Sequence, residues 1–379
     1  MITRAALALI LSSASPALAE DVQLAFPLDC TLGQDCHIQQ YMDQDPSAAA
    51  HDYRCSRLTY DEHKGTDFAL PDRAAMAAGV TVRAAAAGVV KGLRDGMADG
   101  APLSEVQGRE CGNGVVIDLG RGWETQYCHL KRGSLRVTDG QEVAVGDALG
   151  LVGQSGKAAF PHLHLSLRHN GNPVDPFAPE GNGCEEPAKS LWQDTPPYRP
   201  GGLIALGFAD RIPSYDEIKA GDANHDTLPK DAPALVIYGY SYGTQKNDVL
   251  RLSLAGPSGT VIERDVVLEK PQAQSFRAIG KRAAAGTWPA GRYRGTVTLL
   301  RDGRGVDAAI DRLSPAHFSV NLSSIRRFCA RAASVLPSAT GWYWPKPLAA
   351  KRSGAMPRKL TIYLTTDSAR AWLSSQLSA

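Results

Sequence analysis

From about Phe26 to Phe177 short apolar runs alternate with Gly, Asp and Asn: Val80-Thr81-Val82, Gly88-Val89-Val90, Val115 to Leu119, Val143-Ala144-Val145, Leu149-Gly150-Leu151-Val152 and Leu163 to Leu167. No stretch among them carries the 3.6-residue period of an amphipathic helix. Short strands bounded by turn residues predict an antiparallel all-β domain over residues 20–180. Strand patterns return at Ala234 to Tyr240, Val249 to Leu254, Thr260 to Leu268, Gly291 to Leu300 and His317 to Val320, and predict a smaller, immunoglobulin-like β-sandwich over residues 232–322. Pro, Gly and Asp recur between the two sets, so residues 181–231 are expected to connect them.

The last segment, residues 323–379, breaks the pattern. Nine Lys or Arg from Arg326 to Arg370 face one acid, Asp367, and surround Trp342-Tyr343-Trp344. Such a tail reads as a poorly ordered extension, and its charge and aromatics also suit contact with an anionic wall polymer or membrane surface. The chain as a whole has 41 basic and 39 acidic residues, a formal +2, so it offers no general field for holding nucleic acid.

Export changes the reading of the cysteines. Residues 1–19, MITRAALALILSSASPALA, carry one Arg, an apolar run from Ala5 to Leu11 and Ala17-Leu18-Ala19 as a cleavage signal, so they predict a removable export leader. That run is too short to span a bilayer, and no later stretch is long enough, which predicts a mature chain without an integral membrane segment, periplasmic or secreted. In an oxidising compartment seven cysteines imply up to three bridges and one leftover thiol. A Gly-rich hairpin at Gly120-Arg121-Gly122 brings Cys111 near Cys128 and makes them the best pair. Cys30, Cys36, Cys55 and Cys184 can close two more bridges in any of three ways, and Cys329 is left over.

The candidate chemistry lies in three segments of the first domain: His63-Lys64-Gly65-Thr66-Asp67, Tyr127-Cys128-His129-Leu130 and Pro161-His162-Leu163-His164-Leu165. In a strand, residues two apart share a face, so His162 and His164 project side by side while Leu163 and Leu165 point the other way. His63 and Asp67, four apart around a Gly, can add a nitrogen and a carboxylate oxygen. Zn2+ takes such ligands at about 2.0–2.2 Å, and a catalytic site keeps a fourth position for water. The other histidines (His37, His51, His169, His225, His317) read as surface or locally hydrogen-bonded groups. Gly153-Gln154-Ser155-Gly156-Lys157-Ala158 lacks the Ser or Thr that a phosphate loop needs after its Lys, and the Asp222-Asn224-Asp226 run lacks the Gly and Glu of a calcium loop.

Taken together, His63-x-x-x-Asp67, the segment ending at His129-Leu130 and His162-x-His164 resemble the lysostaphin-type zinc endopeptidases, which cut the peptide bridges of bacterial peptidoglycan. The flanking Gly65-Thr66-Asp67-Phe68 and Gly140-Gln141-Glu142-Val143 agree, and the likeness covers about residues 60–177. It implies one zinc ion per chain on His63, Asp67 and His164, with His129 and His162 as catalytic residues that do not bind the metal. It also implies hydrolysis of stem or cross-bridge peptides, the partner being peptidoglycan. Ser155 to Phe160 depart from the family's usual Thr-Gly-containing loop, which bears on substrate preference. A non-catalytic wall-binding or regulatory protein on the same fold is the second reading. It is disfavoured because all five of these residues are present.

Overall fold

A computed structural model describes residues 22–181, 184, 189–283 and 287–315. The expected leader, the basic tail with Cys329 and the strand expected at His317 to Val320 lie outside the described residues.

The first half is built from ten strands: β1 (His37–Gln40), β2 (Thr66–Ala69), β3 (Thr81–Arg83), β4 (Gly88–Arg94), β5 (Asn113–Gly120), β6 (Trp123–Leu130), β7 (Glu142–Val143), β8 (Ala148–Leu151), β9 (His162–His169) and β10 (Asn172–Val174). Two short helices, α1 (Arg73–Ala78) and α2 (Leu103–Val106), interrupt them. Eight strands form one sheet in the order β1-β2-β9-β6-β5-β4-β7, with β10 also on β9, while β3 and β8 make a separate ribbon. Every pairing here is antiparallel, as the alternating pattern predicts. Leu163, Leu165 and Leu167, two apart along β9, pack into a core with Phe68, Val90, Val115, Ile117 and Tyr127. Burying each such leucine contributes about 1.5–3 kcal/mol.

The β5–β6 hairpin closes where the sequence signals it. Gly120 pairs with Trp123, and the two residues between, Arg121 and Gly122, have φ of 53° and 81°, the left-handed pair that a two-residue type I′ turn demands. The base of this hairpin carries the Cys111–Cys128 disulfide, Cα to Cα 4.8 Å. Cys30 bridges Cys36 and Cys55 bridges Cys184, one of the three arrangements the sequence leaves open.

The second half comprises β11 (Gly202–Ala209), α3 (Tyr215–Ala220), β12 (Thr227–Leu228), β13 (Ala234–Thr244), β14 (Val249–Gly256), β15 (Gly259–Val267), β16 (Gln272–Arg282), β17 (Tyr293–Arg301) and β18 (Arg304–Pro315). They form a three-stranded sheet, β11-β13-β16, and a five-stranded one, β12-β18-β17-β14-β15, antiparallel except where β12 meets β18. A common core of Phe208, Leu235, Ile237, Leu250, Leu252, Leu254, Val297 and Leu299 draws on both sheets.

Residues 181–231 carry more structure than connecting chain. Leu191 and Trp192 belong to the first core, where the Leu24 N–H donates to the Leu191 carbonyl at 2.7 Å. Gly202–Ala209 is β11, an edge strand on β13, so the two-sheet module begins some thirty residues earlier than its pattern suggests. Ser214 caps α3 in a reciprocal box with Glu217. The two modules touch through β1: the His37 ring lies 4.4 Å from that of Tyr242, and Gln39 Nε2 donates to the Ala273 carbonyl at 2.8 Å. His37 is therefore buried, with Gln39 Oε1 3.1 Å from its Nε2. Among the described residues no helix is long and apolar enough to cross a membrane.

Candidate metal centre

The site grows from strand register. In β2 and β9, Asp67 lies opposite His164, and Phe68 opposite Leu163, so the alternation that turns Leu163 to the core turns His164, on the other face, toward Asp67. His63 arrives from the turn before β2. The turn needs Gly65: a Cβ there would meet the Leu165 carbonyl at 2.6 Å and His164 Nε2 at 2.7 Å. His129 comes from the end of β6, where its φ of 64° breaks the strand alternation and re-aims the side chain. His162 begins β9 and pairs with Ala69.

Three donor atoms converge. His63 Nε2 lies 3.2 Å from Asp67 Oδ1 and 3.2 Å from His164 Nδ1, and His164 Nδ1 lies 2.8 Å from Asp67 Oδ1. Ligands about 2.0–2.1 Å from a tetrahedral ion sit about 3.3 Å from one another, so this triangle is close to the spacing one zinc imposes. Among the described residues the only other such cluster, Cys30, Asp35 and Cys36, contains the disulfide.

Each imidazole is anchored by its far nitrogen. His63 Nδ1 faces the Tyr41 carbonyl at 2.6 Å, which makes it the protonated nitrogen and leaves the Nε2 lone pair inward. His164 Nε2 donates to Ser166 Oγ at 2.9 Å, and that hydroxyl donates to the Lys64 carbonyl at 2.7 Å, leaving the His164 Nδ1 lone pair inward. His162 Nδ1 donates to the Phe160 carbonyl at 2.9 Å and His129 Nδ1 to the Ser155 carbonyl at 2.8 Å, so both turn Nε2 away from those anchors. Metal-binding histidines are oriented by such outer bonds. Two inward lone pairs beside a buried carboxylate form a pocket of negative potential that a cation completes. The residues present fit a zinc ion.

The electrostatics separate the histidines. Burial presses the His63 pKa down, but the charge and hydrogen bond of Asp67 outweigh it, and the net shift is upward. Burial would raise Asp67, yet the pull of His63 and His162 and the close approach of the His164 and His63 nitrogens hold it well below the carboxylate range. Burial, reinforced by His162 and His164, pushes His129 well below its ordinary value. His162 is lowered as well, burial prevailing over the attraction of Asp67. The His129 and His162 ring centres are 4.5 Å apart, and His162 Nε2 is 3.6 Å from Asp67 Oδ1. The fold thus gathers a carboxylate with two facing imidazoles and, beside them, two imidazoles held neutral.

All five residues singled out in the sequence meet here. His169 does not: it stacks on Trp123 at 4.3 Å, facing away as its odd offset from His164 predicts. Sequence reasoning passed over Ser166, although its i+2 spacing from His164 is a readable signal. It also passed over Tyr60, whose ring lies 4.6 Å from that of His63. The carbonyls of Tyr41, Ser155 and Phe160 leave no trace in residue type.

The chain is 37% identical over 122 residues to the DD-carboxypeptidase/endopeptidase Mpg of Neisseria meningitidis serogroup B, covering 32% of this chain and 23% of that one. It is 36% identical over 113 residues to the peptidoglycan DD-endopeptidase ShyA of Vibrio cholerae, covering 30% and 22%. The chain thus spans less than a quarter of the length of these relatives. The catalytic domain of the prophage-encoded M23 protein EnpA from Enterococcus faecalis superposes with a TM-score of 0.29 at 23% identity, covering 40% of this chain and 96% of that one. The profile of peptidase family M23 matches residues 61–176, from just before His63 to just beyond β10. Residues 61–176 form a domain of peptidase family M23, the lysostaphin-type family that the His and Asp motifs resemble.

Proposed function

We propose that this protein is an exported zinc metalloendopeptidase that hydrolyses peptide bonds in the stem or cross-bridge peptides of peptidoglycan. The observation that carries the reading is the convergence of His63 Nε2, Asp67 Oδ1 and His164 Nδ1 within 4.8 Å, with His129 and His162 beside them. The names of the relatives, the DD-carboxypeptidase/endopeptidase Mpg and the peptidoglycan DD-endopeptidase ShyA, support the substrate class. Three disulfides support an oxidising compartment and hence residues 1–19 as a leader.

His63, Asp67 and His164 would hold one zinc ion, which would supply a Lewis acid for the scissile carbonyl and lower the pKa of water from 15.7 toward about 7. The chain's own work falls to His129 and His162. Because burial keeps both neutral near pH 7, each offers a bare Nε2 as a base. One takes the proton of the attacking water and passes it to the leaving amine. Until that proton is passed on, the imidazolium so formed donates from Nε2 and steadies the oxyanion, while the other imidazole stays neutral beside it. Asp67, held ionised, keeps its Oδ1 beside the inward lone pairs of His63 Nε2 and His164 Nδ1, where the three would share one ion.

The test digests isolated peptidoglycan with residues 20–379 and with a His164→Ala variant, with zinc quantified and products read by mass. About one zinc per chain and new peptide termini from the parent alone are expected. Zinc retained with no cross-link cut by either form would sink the endopeptidase reading.

A further inference from the structure

Beside the metal centre lies a cavity of about 370 Å3 where the two modules meet. One wall is β1 and the segment from Ser56 to Tyr60, and the other is the end of β13 with the start of β16. It is continuous with the catalytic sheet at two points. Gln40, in its wall, is the register partner of Asp67, and Tyr60, also in its wall, rests its half-exposed ring 4.6 Å from the His63 ring. A molecule in this cleft therefore lies one strand, or one side chain, from the metal donors.

The lining chemistry is selective. Gln39, Gln40, Thr244 and Gln272 offer neutral amides and a hydroxyl, no carboxylate faces the cleft, and Arg57 is its one cation. The Arg57 guanidinium is exposed and makes no ion pair or hydrogen bond among the described residues. A planar guanidinium without a partner, at a concave wall of neutral donors and acceptors, matches one ligand group above others: a carboxylate, bound through two parallel N–H···O bonds. The size falls within the range of pockets that take small ligands, enough for part of a peptide. A second hollow, of about 440 Å3, adjoins His63 with Asp43 and Asp45 in its lining, but those carboxylates are occupied by the backbone N–H groups of Asp45, His51, Glu62 and Ser47.

We propose that the inter-module cleft is a substrate subsite that receives a carboxylate-bearing stretch of peptide, with Arg57 as its specificity-determining residue. The two-sheet module thereby forms part of the binding surface of the peptidase domain. This rests on the endopeptidase reading for the class of substrate, an acidic peptide, and on the cleft geometry for where its carboxylate sits.

The experiment measures binding, so that it stands apart from cleavage. A fluorescein-labelled peptidoglycan stem tetrapeptide, with its carboxylates free or all converted to amides, is titrated by fluorescence anisotropy against residues 20–379 carrying His162→Ala, so that the peptide survives. Amidation is expected to weaken binding about 10-fold. Arg57→Gln should weaken the free-acid peptide about 10-fold and change the amidated one less than about 2-fold, and Arg57→Lys should restore part of the loss. Equal effects of Arg57→Gln on both peptides, equal binding of the two peptides by the arginine protein, or no binding of either would overturn the inference. Digestion of peptidoglycan by the parent reads the other claim independently. Cleavage without carboxylate discrimination removes the cleft inference alone, and discrimination without cleavage removes the endopeptidase reading alone.

Discussion

The eight-stranded sheet and the two-sheet module obey the same period-two alternation and put it to opposite uses. In the two-sheet module both sheets turn their apolar residues toward one core, Leu250, Leu252 and Leu254 of β14 meeting Phe208 and Ile237 of the facing sheet. In the first sheet, β9 turns Leu163, Leu165 and Leu167 to a core and gives its other face to His162, His164 and Ser166. Burying His63, Asp67, His129 and His162 works against stability, since each loses hydration that its partners only partly replace. The same module holds the three disulfides found among the described residues. By loop length, Cys111–Cys128 and Cys55–Cys184, at separations of 17 and 129 residues, contribute about 3 and 5 kcal/mol. The two-sheet module, residues 202–315, has no cysteine. A polar site is carried where covalent links offset it, and the module without such a site stands on packing.

The sharpest way to break this contrast is to exchange damage between the modules. His164→Ala removes one of the proposed metal donors from a partly exposed position and should lower peptidoglycan turnover at least about 10³-fold, with loss of bound zinc and little change in melting temperature between the metal-free forms. Leu252→Ala empties a fully buried site in the other core and should cost about 3 kcal/mol. Turnover per folded molecule should stay the same, as measured by chemical denaturation beside kinetics on the native fraction. A Leu252→Ala protein that is folded yet has lost zinc would show that the modules are not separable in this way.

A pH titration sharpens the contrast within the first module. Burial, with the charge of Asp52 adding to it, raises Asp175 to about 6 despite hydrogen bonds from the Phe177 N–H and the Gln44 amide. An acid whose folded pKa lies above its unfolded value of 3.8 stabilises the fold fully below pH 3.8 and loses that contribution as pH rises through about 6. The shift of about two units corresponds to about 3 kcal/mol. Asp175→Asn should remove the slope, so that the stability difference between variant and parent grows in the variant's favour from pH 4 to pH 7. Parallel curves from urea denaturation across that range would refute the assignment.

How much of this was legible in the sequence follows from how local each signal is. The His162-x-His164 pair, the Gly120 to Gly122 hairpin and the Cys111–Cys128 bridge depend on residues that meet through one strand or one turn, and the alternation alone points to them. β11 was not legible because Gly202–Ala209 sits between PYRPGG and DRIPS, and its pairing with β13 is decided by a core that closes some thirty residues later. β1 was hidden for a similar reason: His37 and Gln39 are polar residues buried at a module interface, where tertiary contact overrides composition. The site was readable as residue types. Its anchoring was not, because carbonyls at Tyr41, Ser155 and Phe160 can be supplied by any residue.

Ser166 lies between those two cases and yields the smallest of the expected effects. Its hydroxyl accepts from His164 Nε2 and donates to the Lys64 carbonyl, so it fixes which nitrogen of His164 keeps its lone pair for the metal and ties β9 to the turn that presents His63. Loss of such an outer bond typically costs about 10- to 100-fold in metal affinity. Ser166→Ala should weaken zinc binding by about that factor, read by competition with a chelator. Ser166→Thr, which keeps the hydroxyl, should retain most of the affinity. The fold should be unmoved in both, because Ser166 turns away from the leucines of β9. Equal zinc affinity in parent and Ser166→Ala would mean that the sheet alone orients His164, and that this face, like the inner faces of the two-sheet module, is held by packing.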